Sequence, residues 1–265
     1  PIGIVLLFLM GIGPLLSWKN TSSSTLISNF SIPMILSFIS GLLYMIFTDE
    51  FKIYPFITSM GIVFTLTSII GELQKSFKSS YNNNNSLSKA ILQLLSKNRH
   101  KNGGYIVHIG ITLLFVGFVG RAFEVEKEFV LSPGKTIYFA NHEFRLNNVT
   151  SEERDNHYAF ISDMDVLDAN NDNAYITTLY PEKRIYFHRN PDPDKRQPHS
   201  ELDIYRTMSK DIYSIFSSYD PQKNEAYFKI MINPLVNWVW IGGIVIIFGA
   251  LFAFWPSSRR DHGTV

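Results

Sequence analysis

Five stretches of this sequence, residues 2–18, 32–47, 53–70, 105–123 and 235–255, run almost free of charge. Each approaches the length a helix needs to cross a bilayer, about 20 residues for ~30 Å of hydrocarbon. Hydrocarbon tolerates only a backbone whose polar groups are satisfied internally, so these stretches predict spanning helices. The second is the weakest, diluted by Pro33 and Ser37, yet its core Gly41-Leu42-Leu43-Tyr44-Met45-Ile46 favours a span over a surface loop. Composition hides this segregation: 46% of residues are hydrophobic and 18% charged, but the charges lie between the apolar runs, the pattern of a multi-pass membrane protein.

Orientation follows from the basic residues in short connections. The stretch 72–103 holds Lys75, Lys78, Lys89, Lys97, Arg99 and Lys101 against the single acid Glu72, which predicts a cytoplasmic loop. Lys19 and Arg259-Arg260 fall on the same side if the number of spans is odd. Between Glu124 and Ile232 nineteen acids face thirteen bases, an excess that suits the outer side. Trp18, Trp238, Trp240 and Trp255 all stand at predicted span ends, where an amphipathic indole prefers to lie. The chain is therefore expected to divide into 1–123, four transmembrane helices with a basic cytoplasmic loop at about 72–103; 124–232, an extracytoplasmic domain; and 233–265, a final transmembrane helix with a short cytoplasmic tail. The opening at Pro1, apolar from its second residue and without a basic leader, is unlike a signal peptide and reads as a piece of a longer polypeptide.

Residues 79–86 form a low-complexity Ser/Asn patch, followed by an amphipathic segment over 87–95 that suits a membrane surface. The outer segment reads as β-rich. Residues 135–139, 143–149, 158–167, 174–180, 211–217 and 226–232 alternate or carry β-branched and aromatic side chains. Ser132-Pro133-Gly134, Ala140-Asn141-His142, Asn170-Asn171-Asp172-Asn173, Asn190-Pro191-Asp192-Pro193-Asp194 and Asp220-Pro221-Gln222-Lys223-Asn224 supply the turns. A small barrel or sandwich is expected.

His108 is the one histidine inside an apolar run, in Gly103-Gly104-Tyr105-Ile106-Val107-His108-Ile109-Gly110. Hydrocarbon offers its two nitrogens nothing to bond, so it needs a partner: a neighbouring helix's carbonyl or a water, or else a metal or haem iron. Gly104 and Thr112, four residues to either side, share its face. Glycines at 104, 110 and 117 admit either a flat macrocycle or a packed helix. His100, His142, His157, His188, His199 and His262 stand at no ligand spacing and read as solvated. With no cysteine, disulfides, Cys-zinc sites, Fe–S clusters and thiol nucleophiles are excluded. No serine triad, phosphate loop or carboxylate pair is visible, and the acidic outer surface argues against nucleic acid as a partner. The tract 179–187 concentrates charge after a strand and reads either as a solvated edge or as a clamp for a carboxylate or partner. Asp163, Asp165 and Asp168 read as solvated or as steering a basic partner.

Gly104-Tyr105-Ile106-Val107-His108-Ile109-Gly110, Tyr180-Pro181-Glu182-Lys183-Arg184-Ile185-Tyr186, Asp211-Ile212-Tyr213-Ser214-Ile215 and Asn233-Pro234-Leu235-Val236-Asn237-Trp238-Val239-Trp240 follow Met10-Gly11-Ile12-Gly13-Pro14 along the chain. In that order they resemble the C-terminal part of the CcmF family of cytochrome c-type biogenesis haem lyases, and NrfE-type paralogues share the pattern. The resemblance implies covalent attachment of haem to apocytochrome c, with His108 one of two axial ligands of a membrane-embedded b-type haem that relays electrons, and Thr112 or a carbonyl fixing the other ring nitrogen. It implies as partners apocytochrome c, a periplasmic haem chaperone and other maturation subunits, in the bacterial inner membrane. The family's Trp-rich haem-handling region, expected before residue 1, is not in this chain, so haem lyase activity of the piece alone is not expected. A non-catalytic membrane scaffold, docking partners through its outer domain, is the rival reading.

Overall fold

The structure is a computed structural model and describes residues 1–16, 23–48, 50–84, 86–88, 99–187 and 197–255. Trp18, Lys19, Lys89, Lys97, His188, His262, the loop 190–194, the pair Arg259-Arg260 and most of the amphipathic segment 87–95 lie outside the described residues. Two compact units emerge, Pro1–Ala122 with Trp238–Val265, and Phe123–Asn237.

The first unit is helical: α1 (Ile2–Leu15), α2 (Ser23–Phe47), α3 (Ile53–Asn84), α4 (Arg99–Gly120) and α5 (Asn237–Phe254). Four of these are long and apolar enough to cross a membrane, within Leu26–Phe47, Ile53–Asn82, Arg99–Phe123 and Asn237–Phe254. Among the described residues α1 has 14 residues with Pro14 in its last turn, shorter than the span expected over 2–18. Large apolar side chains on α2 such as Ile35, Phe38, Leu42 and Ile46 stand exposed, which water would penalise and hydrocarbon does not. Two boundaries differ from the sequence reading. α2 starts nine residues before the expected 32, with Pro33 inside it, where membrane helices accept proline. α3 runs past Ile70 to Asn84, so the basic stretch begins as helix, its Glu, Leu, Gln and Lys being good helix formers.

Helices of this kind gain nothing by hiding oil from oil, so they associate through small residues and hydroxyls. Thr65 Oγ1 donates to Leu7 O at 2.8 Å, joining α3 to α1. Ser37 Oγ donates to Met60 O at 2.9 Å, joining α2 to α3. A Cβ on Gly11 would stand 2.7 Å from the Phe64 ring and one on Gly61 2.9 Å from Leu7, so α1 and α3 pack through glycine.

The second unit is a sandwich, as expected. One sheet is ordered β1-β10-β9-β8 and the other β2-β3-β4-β6-β7, with β5 also on β4. The strands are β1 (Val125–Leu131), β2 (Thr136–Phe139), β3 (His142–Arg154), β4 (His157–Asp168), β5 (Ala174–Leu179), β6 (Glu182–Tyr186), β7 (His199–Glu201), β8 (Asp203–Arg206), β9 (Lys210–Asp220) and β10 (Glu225–Pro234). Period-2 alternation aims Phe144 and Leu146 of β3, Met164 and Val166 of β4, Ile212 and Phe216 of β9, and Phe228 and Ile230 of β10 into one core. Phe216 and Phe228 stack at 5.1 Å.

Local chemistry sets the register. Ala140 and Asn141 both take positive φ, 47° and 64°, the two-residue hairpin geometry that matches strand twist. Asp220 Oδ1 accepts from the amides of Gln222 and Lys223 to close the β9–β10 turn. At Pro181, which lacks an N–H, the edge lying on β4 divides into β5 and β6; Ser162 N–H and Oγ both donate to Pro181 O, at 3.1 and 3.2 Å.

Candidate functional site

Helix α4 has two opposite faces. On one, Gly103 and Gly110 meet α5: an added Cβ would lie 2.8 Å from the Ala253 backbone and 2.8 Å from Gly242 O. Gly249 of α5 answers, its Cβ position 2.8 Å from Val107 N. Glycines seven residues apart thus bring two backbones together, and this face is a helix–helix contact.

The other face, at i, i+4, i+7 and i+11, carries Lys101, Tyr105, His108 and Thr112. His108 is partly exposed, and its Nδ1 is buried with no hydrogen-bond partner among the described residues. The structural reading, an imidazole tied to a neighbouring carbonyl, finds no such bond at that nitrogen. Nor does Thr112 serve the ring as expected: its Oγ1 donates to the His108 backbone carbonyl at 2.8 Å. A threonine one turn along a helix reaches that carbonyl more readily than a side chain that leans away from it. Gly104 lies one turn before His108, the direction toward which helical side chains lean. Among the described residues, and apart from the helix's own backbone and the adjoining residues, no heavy atom comes within 4 Å of a Cβ position on Gly104. His108 thus keeps a buried ring nitrogen without a protein partner one turn from the uncovered surface at Gly104, donor chemistry that fits a haem iron.

At the N-terminal end of the same face a charge cluster joins three helices. Glu72 of α3 takes Lys75 at 2.9 Å and Lys101 of α4 at 3.7 Å. Lys75 also donates to Asn29 Oδ1 of α2 at 2.8 Å, and Lys101 sits over the Tyr105 ring, 5.5 Å from its centroid. The sequence reading passed over this cluster; the seven-residue spacing of Lys101 and His108 was its signal.

In the sandwich, two histidines read as solvated are buried instead. His142 is 2% exposed because it shares the inward face of β3 with Phe144 and Leu146. Its Nδ1–H donates to Ala140 O at 2.7 Å and its Nε2 accepts from Lys210 Nζ at 2.9 Å. Burial first, then the neighbouring ammonium, holds its pKa below the usual imidazole value. His157 is 7% exposed, packs on Tyr186 at 5.1 Å and has no partner for Nε2 among the described residues. His199 also borders Tyr186, at 5.8 Å, and His100 lies exposed against Phe254. Among the described residues no three His, Cys, Asp or Glu gather as a metal site.

The tract 179–187 is neither a solvated edge nor an open clamp. Most of it is β6, laid between β4 and β7, and its carboxylate and guanidinium answer each other. Glu182 takes Arg184 at 2.6 Å and Arg154 at 3.3 Å, while Arg184 reaches Glu201 at 3.5 Å. Among the three acids, Asp163 accepts from Asn147, Asp165 from Thr178, and Asp168 from the amide of Asn170, so all three serve their own strands and turns.

Comparison with known proteins agrees with this architecture. Residues 122–234 match the family described as the CcmF C-terminal beta-sandwich. The chain is 23% identical to the cytochrome c-type biogenesis protein CcmF of Haemophilus influenzae over 95% of its own length and 37% of that protein. It is 25% identical to CcmF of Pseudomonas aeruginosa over 60% of the chain and 25% of the relative. NrfE of Haemophilus influenzae matches at 27% over 60% of the chain and 24% of the relative. The solved structure of a cytochrome c haem lyase CcmF superposes with a TM-score of 0.73 at 16% identity, covering 97% of this chain and 39% of that one, a likeness of fold. These matches support the resemblance, read from the sequence, to a C-terminal part of CcmF-family proteins, and the chain spans 37% and 25% of the two CcmF relatives.

Proposed function

We propose that this chain is part of a cytochrome c haem lyase, a membrane protein that joins haem covalently to apocytochrome c, and that His108 is an axial ligand of a b-type haem within it. The unpartnered Nδ1 of His108 beside the open surface at Gly104 carries this reading. A haem held there would supply one-electron chemistry, keeping the substrate haem reduced for thioether formation with the thiols of a Cys-x-x-Cys-His segment. The chain's own residues do the rest. α5, pressed on the glycine face of α4, fixes the rotation of α4 and so the direction of His108. Thr112 holds the backbone under the histidine. The apolar residues flanking it on α4 offer the ring little competition for that lone pair.

The surplus of basic residues between α3 and α4, against the acidic sandwich segment, supports an inner-membrane placement with the sandwich in the periplasm and the C-terminus in the cytoplasm. Partners on this reading are apocytochrome c, a periplasmic haem chaperone and the other membrane subunits of maturation. Haem stoichiometry of the gently purified complete protein separates this reading from a scaffold. A b-type haem retained in proportion to polypeptide, and holocytochrome c formation that His108→Ala abolishes, are expected. A colourless protein, or maturation at the normal rate in that variant, contradicts it.

A further inference from the structure

We infer, on the reading that His108 holds a haem, that Lys101 is the charge partner of that haem's propionate carboxylates and sets the macrocycle's rotation about the iron–imidazole bond. Lys101 stands seven residues before His108 on one face of α4, two turns and roughly 10 Å along the axis. That separation suits the reach of a macrocycle from its iron to its acid side chains. The imidazole leans toward this end of the helix, and the surface between, at Gly104, is open. A macrocycle held by His108 and laid over Gly104 would bring one edge toward Lys101.

Charge leads to the same place. Two ammonium groups, Lys75 and Lys101, share the one carboxylate of Glu72, and the other side-chain acceptor of Lys75 is the neutral amide oxygen of Asn29. Among the described residues the cluster thus carries one positive charge more than it answers. Lys75 holds Glu72 closely, at 2.9 Å, whereas Lys101 stands off at 3.7 Å with its side chain 49% exposed. Lys101 is the arm able to turn to a second carboxylate while the Lys75–Glu72 pair stays intact. A carboxylate brought to the edge of hydrocarbon needs such a cation, and Tyr105 beneath the lysine stem keeps it directed along the helix face.

The test uses the complete protein with its haem, in four variants, reading haem per polypeptide and midpoint potential by spectroelectrochemical titration. Lys101→Gln is expected to lose haem several-fold and to lower the potential of what remains, since removing a positive charge disfavours the ferrous state; Lys101→Arg restores both. Glu72→Gln breaks the same ion pair but removes a negative charge, so its potential rises and its haem stays. Haem with esterified propionates should bind the wild type and Lys101→Gln equally. Wild-type occupancy and potential in Lys101→Gln, or shifts of the same sign in the Lys101 and Glu72 variants, overturn the inference. His108→Ala is the separate control: full haem retention there overturns the ligand reading itself, whatever Lys101 does.

Discussion

At the scale of single residues, burial decides what each histidine can do. His142 is closed in by the core and hydrogen-bonded at both nitrogens, so it stays neutral in the folded protein. The unfolded chain takes up a proton near the ordinary value of 6.5 and the folded one only below it, so sandwich stability is lost as pH falls through and below that value. Asp211, 1% exposed, has its pKa raised chiefly by burial; protonation relieves it, an opposite effect confined to the lower, carboxylate range. Amide exchange at Phe144 and Leu146, corrected for intrinsic rates, should therefore quicken between about pH 7 and pH 5.5. In His142→Gln it should be flat; an equal response in that variant refutes the assignment. The burial of His142 was legible in sequence, because positions 142, 144 and 146 alternate with one face. The lone-histidine reading prevailed because nothing in spacing announces a lysine arriving from position 210. Glu182 binds two arginines with its side chain only 15% exposed, so Glu182→Gln should cost about 1–3 kcal/mol of sandwich stability in denaturant titration; no loss would mean those pairs are merely superficial.

At the scale of elements, patterns with an apolar face were readable and those held by charge were not. β3, β4, β9 and β10 alternate toward a core. β1 is an edge strand with Glu126, Lys127 and Glu128 all exposed, β7 has three residues, and β6 is fixed by ion pairs, so period-2 reasoning passed over them. For the helices, apolar length found the spans, while the ends depended on proline tolerance at Pro33 and on helix formers beyond Ile70. The glycines of α4 make a sharper prediction because they part into two sets. Gly110→Leu must drive a side chain into Gly242 O and Ile246, an overpacking worth about 1–3 kcal/mol or more, read as a lower unfolding temperature in detergent. Gly104→Leu meets open space and should leave that temperature unchanged or higher, yet reduce haem content by covering the surface His108 overlooks. Equal destabilisation by both would deny that α4 has two distinct faces.

At the scale of the whole molecule, fold class and division into helical and β units were legible because apolar segregation is coarse and robust. The site was legible only as one residue, since a ligand set assembled from different helices leaves no spacing in the sequence. Orientation is testable because the chain has no cysteine, so single cysteines introduced at Lys223 and Lys78 report without background. An impermeant thiol reagent added outside should label position 223 in intact spheroplasts and position 78 only after lysis; the reverse pattern inverts the topology. The central claim, that the nitrogen of His108 is given to iron, is tested most directly by His108→Gly in the complete protein, purified with and without added imidazole. The b-type absorbance is expected to be lost and to return when free imidazole fills the space left on α4. A haem spectrum unchanged by the substitution would contradict it.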